Sequence, residues 1–101
     1  ADDVGYGDTS AYGATKLATP HLDRLAREGR RFENGYASAS SCTPTRYAML
    51  TGQYSWRSDR IGVNRGVAQG DAALVIPTDM PTAPGLLQQA GYRTAVIGKW
   101  H

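Results

Sequence analysis

The chain has 101 residues, enough for one small domain and too few for two. With 41% hydrophobic and 20% charged residues it has ordinary globular composition, which excludes wholesale disorder and a fibrous protein, and its longest apolar run, residues 72–76, falls far short of the roughly 20 residues of a membrane-spanning helix. A net charge of +2 makes nucleic acid a poor default partner, and one cysteine with two histidines excludes an internal disulfide and argues against a four-ligand structural zinc site. The sequence starts at Ala1 and shows no targeting segment, so it reads as a piece of a longer protein.

The first stretch is acidic and small: Asp2, Asp3 and Asp8 stand among Gly5, Gly7, Thr9, Ser10 and Gly13, which is loop composition. A helix is predicted from Thr19 to Gly29. Thr19 is a good N-cap, Pro20 suits the first helical position, and Leu22, Leu25 and Ala26 form one apolar stripe. Gly29 is a plausible stop. Residues 31–37 are predicted as a short strand, with Phe32 and Tyr36 on one side. A second helix is expected to run to about Thr51, with Pro44 in its first turn and Gly52 ending it. Cys42 and Thr43 then lie at or just before a helix N-terminus. Residues 53–81 read mostly as loop. A third helix is predicted from about Ala83 to Ala90, capped by Thr82 and closed by Gly91. Residues 94–97 read as a buried strand, because β-branched and apolar residues run on without alternation. Helix, short turn and apolar strand are the pieces of an α/β fold.

Three groups of residues could carry chemistry. Asp2 and Asp3 can both reach one ion from a bend, and carboxylate oxygens suit a hard cation; the plain alternative is a solvated loop. Cys42 lies near a helix N-terminus whose N–H groups favour an anion, and Arg46, one turn on, can aim its guanidinium at the same anion. The alternative is a small buried thiol with a surface arginine. A phosphotyrosine-phosphatase loop is excluded, since it needs five residues between Cys and Arg and Ala48 stands where that Arg would be. A Walker loop fails as well, because Arg93 occupies the place of its upstream glycine. Lys99 and His101 follow the apolar segment across Gly98 and would face the same way in an extended chain. Ligands of α/β sheets bind outside the carboxyl ends of strands, so the pair could form a small anion pocket; the alternative is a polar strand end. His21 reads as a first-turn helix residue.

Together the motifs resemble a known family. Ala1-Asp2-Asp3-Val4-Gly5-Tyr6-Gly7-Asp8, residues 19–29 (TPHLDRLAREG), Cys42-Thr43-Pro44-Thr45-Arg46 with Leu50-Thr51-Gly52, and Gly98-Lys99-Trp100-His101 look like the N-terminal region of the formylglycine-dependent sulfatases of the alkaline phosphatase superfamily. The resemblance runs over essentially the whole chain, with the motifs in the family's order. It implies the N-terminal portion of a single catalytic domain, of three-layer α/β/α architecture with a central mixed, largely parallel sheet. It implies that Asp2 and Asp3 bind a divalent cation, calcium or else magnesium. Cys42 would be oxidised to formylglycine and join the cation's ligands. Pro44 and Arg46 would be read with Cys42 by the modifying enzyme. Arg46, Lys99 and His101 would act in the catalytic site. Thr45 stands where Ser is most frequent and keeps the hydroxyl. Gln53 stands where the family often has Arg, in the auxiliary part of the recognition segment.

In the mechanism that the resemblance implies, one hydroxyl of the formylglycine hydrate attacks the sulfur of a sulfate ester and the alcohol leaves. Deprotonation of the second hydroxyl then re-forms the aldehyde and expels sulfate. The substrate is a small-molecule or carbohydrate sulfate ester; aryl, carbohydrate and steroid esters all stay open. A phosphonate monoester hydrolase or phosphodiesterase with the same modified cysteine, and a non-catalytic sulfatase-like module, are the other readings. Periplasmic or secreted placement follows from the resemblance. Residues 1–101 alone are expected to be inactive and not stably folded, because the apolar strands lack sheet neighbours.

Overall fold

A computed structural model describes residues 2–59 and 66–99 of the chain. The elements are a 3-10 turn at Ser10–Tyr12, helix α1 at Pro20–Glu28, helix α2 at Cys42–Thr51, a 3-10 turn at Ser55–Arg57 and helix α3 at Ala83–Gln89. Among the described residues no helix is long and apolar enough to cross a membrane. The chain divides into two compact units, Ala1–Tyr36 and Ala37–His101.

The first unit is held by polar contacts more than by an apolar core. Thr19 is the N-cap of α1 as predicted, but its side chain makes no capping bond. Its Oγ1 lies 2.8 Å from Ser10 Oγ and accepts from the Ser10 N–H at 3.0 Å, while the Thr19 N–H donates back to Ser10 Oγ at 2.9 Å. Ser10 Oγ also lies 2.8 and 2.7 Å from the two carboxylate oxygens of Asp23. The 3-10 turn is thereby fastened to the start of α1. On the far side, Tyr12 Oη donates to the Phe32 carbonyl at 2.9 Å, and Arg31 Nη1 donates to the Ala11 carbonyl at 3.0 Å with its guanidinium 5.8 Å from the Tyr12 ring centre. Gly29 ends α1 by close approach: a Cβ there would meet the Leu25 carbonyl oxygen at 2.9 Å.

The second unit has a small core around α2. Thr43, Pro44 and Tyr47 are buried, and they recur on one face of the helix. Tyr47 is 2% exposed, and its hydroxyl donates to Met80 Sδ at 3.9 Å, next to the segment that leads into α3. Gly52 takes the left-handed conformation and stops α2 where predicted. Helix α3 also forms as predicted, with Thr82 Oγ1 accepting from the Gly85 N–H at 3.3 Å.

Three expectations need correction. Residues 31–37 and 94–97 form no strand, and no ladder occurs among the described residues. A strand is defined by a hydrogen-bonded neighbour, and neither segment finds one here. The second of them is exposed where burial was predicted: Val96 is 55% and Ile97 98% accessible. The stripe of α1 is exposed as well, with Leu22 at 48% and Leu25 at 66%, because no element of its own unit covers it.

Candidate functional site

Helix α2 positions the thiol. Ser41 is its N-cap in an extended conformation, and half-buried Cys42 is its first residue. Pro44 sits in the first turn, where a missing N–H costs nothing. Thr45 turns its hydroxyl back to donate to the Ala39 carbonyl at 2.7 Å, tying the small polar stretch before Cys42 onto the helix. Only a hydroxyl is needed for that bond, which accounts for Thr at a position where Ser would serve equally.

Arg46 lies one turn after Cys42, and its Nη1 donates to the main-chain oxygen of Lys99 at 2.5 Å. Two motifs far apart in sequence therefore meet on this helix. The approach to Lys99 passes through Gly98 at φ 117°, a conformation that a residue with a Cβ rarely adopts. A guanidinium carries five N–H donors, so it can hold a carbonyl and an anion together.

Asp2 and Asp3 belong to the first unit and both are exposed. Asp3 has φ 58°, in the left-handed region that Asp tolerates better than most residues, and the chain bends there. A bend is what adjacent carboxylates need to converge on one cation, and their oxygens suit a hard one. Among the described residues no group of three or more His, Cys, Asp or Glu gathers as a complete cation site. His101 lies outside the described residues.

Sequence reading missed Thr43. It is 2% exposed, and its Oγ1 accepts from the Ala68 N–H at 3.0 Å. The available signal was a hydroxyl residue beside Cys42 in the first turn of a helix, but its partner lies in a segment without periodicity.

Over residues 1–101 the chain matches the family model described as Sulfatase. The chain belongs to the sulfatase family. It is 50% identical over 101 residues to N-acetylgalactosamine-6-O-sulfatase of Bacteroides thetaiotaomicron, covering 100% of this chain and 19% of that protein. It is 47% identical over 106 residues to steryl-sulfatase of Mus musculus, covering 100% of this chain and 16% of that protein. A solved structure connected with the metabolism of multiple glycosaminoglycans by Bacteroides thetaiotaomicron superposes with a TM-score of 0.90 at 50% identity, over 99% of this chain and 20% of that one. The chain thus spans about a fifth of the length of the sulfatases it matches. That structural match holds although no sheet forms among the described residues.

Proposed function

We propose that this chain is the N-terminal portion of one three-layer α/β/α catalytic domain, in a sulfuric ester hydrolase whose reacting centre is built on Cys42. The observation that carries the reading is the Arg46–Lys99 hydrogen bond. It joins the helix headed by the thiol to the Gly98-Lys99 segment, as a clamp for one tetrahedral anion requires. Family membership supports sulfate esters as the anion's source.

Each residue has a role that its chemistry suits. Oxidation of Cys42 to formylglycine would supply a geminal diol in place of a thiol, and a divalent cation, calcium or else magnesium, would lower the pKa of a hydroxyl there. Asp2 and Asp3 would provide carboxylate oxygens for that cation. Pro44 and Arg46, with Cys42, are what a formylglycine-generating enzyme reads. Arg46 then holds the Lys99 main chain and offers planar donors to a sulfuryl oxygen. Lys99 adds positive charge, and His101 an N–H donor, where negative charge develops on the sulfuryl group. The first N–H groups of α2 point the same partial charge toward its start. We place the protein in the periplasm or outside the cell.

The test is turnover by the full-length polypeptide, produced with a formylglycine-generating enzyme, of 4-nitrophenyl sulfate and of a 4-nitrophenyl phosphonate ester. Preference for the sulfate ester is expected. Clear preference for the phosphonate overturns the reading.

A further inference from the structure

The turn that follows Asp2 and Asp3 is closed twice. The Asp8 N–H donates to the Gly5 carbonyl at 3.1 Å, and the Gly5 N–H donates to Asp8 Oδ2 at 2.6 Å. The first is an ordinary turn bond. The second is short and charge-assisted, which makes it the stronger of the two. It fixes the peptide group between Val4 and Gly5, which begins one residue after Asp3. Asp3 stands at φ 58°, a conformation that a residue with a Cβ keeps only where the surrounding structure holds it. Gly5 lets the carboxylate approach, since a Cβ there would lie 3.1 Å from Asp8 Oδ2. Tyr6, inside the turn, sets its ring 4.8 Å from that of Tyr12, whose hydroxyl is tied to the Phe32 carbonyl at 2.9 Å. A chain of contacts therefore runs from the body of the first unit, through the turn, to the Asp2-Asp3 bend. Asp8 does not join the two aspartates directly, because no group of three or more His, Cys, Asp or Glu gathers among the described residues.

We propose that Asp8 is a positioning residue for the cation site: through the Gly5 amide it holds the bend from which Asp2 and Asp3 offer their carboxylates. This rests on the reading of Asp2 and Asp3 as cation ligands. Asp8 acts as a hydrogen-bond acceptor and not as a ligand or a source of charge. Its neutral amide counterpart keeps an acceptor oxygen and therefore keeps the function.

The experiment titrates calcium chloride into the calcium-free full-length polypeptide by calorimetry, for wild type, Asp8→Ala, Asp8→Asn and Gly5→Ala. Melting curves are recorded without calcium and with it. Asp8→Ala should raise the calcium Kd by about three- to tenfold, the worth of an exposed charge-assisted hydrogen bond, whereas Asp8→Asn should stay within about twofold of wild type. Gly5→Ala keeps the Asp8 carboxylate but pushes it off the amide, so it should weaken binding in the same direction. The calcium-free melting temperature should not change, and only the gain on adding calcium should shrink in Asp8→Ala and Gly5→Ala. Equal losses in Asp8→Asn and Asp8→Ala would assign the effect to charge and overturn the proposal. It is overturned as well by an unchanged Kd in both Asp8→Ala and Gly5→Ala, or by a calcium-free melting temperature that falls with the affinity. No calcium uptake by wild type overturns the reading of Asp2 and Asp3 itself, and the proposal with it, so the two failures are told apart.

Discussion

Arg46 Nη1 donates to the main-chain oxygen of Lys99 at 2.5 Å, between residues 53 positions apart. The bond makes the face of α2 that follows Cys42 the meeting point of two motifs. Arg46→Lys keeps the charge but loses the planar fork, so it is expected to lower kcat/KM by about 10- to 100-fold, the worth of a hydrogen bond to a charged group. Steady-state kinetics on an aryl sulfate, normalised to the modified fraction of Cys42, checks this. A value equal to wild type removes Arg46 from the clamp.

Cys42→Ala deletes a single heavy atom from a half-buried position at the start of α2. Turnover should fall by on the order of 10⁴-fold or more, as when an enzyme loses its nucleophile. The thermal melting curve should stay close to wild type. Loss of folding together with activity would assign the thiol a packing role.

Asp3 separates charge from backbone conformation, because its φ of 58° disfavours most side chains. Asp3→Asn keeps a residue that tolerates the left-handed region, whereas Asp3→Ala adds strain of about 1 kcal/mol. Both should weaken calcium binding in a calorimetric titration, and only Asp3→Ala should also lower the melting temperature. Chelation of divalent cations should abolish aryl sulfate turnover, and added calcium should restore it.

Ser10 joins Thr19 and both oxygens of Asp23 in one part-buried network. Ser10→Ala removes all of these bonds and leaves the carboxylate short of a donor. A loss of about 1–3 kcal/mol is expected in urea denaturation. A change near zero would show that water replaces the hydroxyl at no cost.

The helices were legible because their signals are local. Pro20, Pro44, Thr82 and Gly52 mark ends whatever surrounds them, and α1, α2 and α3 appear within a residue or two of their predicted bounds. The strands were not recovered, because pairing depends on residues distant in sequence. Residues 94–97 have the composition of a buried strand, yet Ile97 is 98% exposed. The site divides in the same way. Cys42 and Arg46 at helical spacing were readable from sequence, and Lys99 was readable as a motif. That Arg46 would hold the Lys99 main chain, or that Thr43 would hold Ala68, depends on tertiary approach and has no local signature. Both 3-10 turns fell within stretches read as loop, since three residues carry too little periodicity to register.

A polypeptide of residues 1–101 alone is expected to show no sulfatase activity and to unfold readily. Tyr47 is the buried hydrophobic residue among those described, and such a core supplies little against the entropy of the chain. Measurable turnover by that polypeptide would contradict this.

The central claim is that Cys42 is the precursor of the nucleophile. Peptide mass spectrometry across Cys42, on the full-length protein isolated from its native host, tests it most directly. The account predicts a peptide carrying an aldehyde, or its hydrate, in place of the thiol. A peptide in which Cys42 remains an unmodified thiol would contradict it.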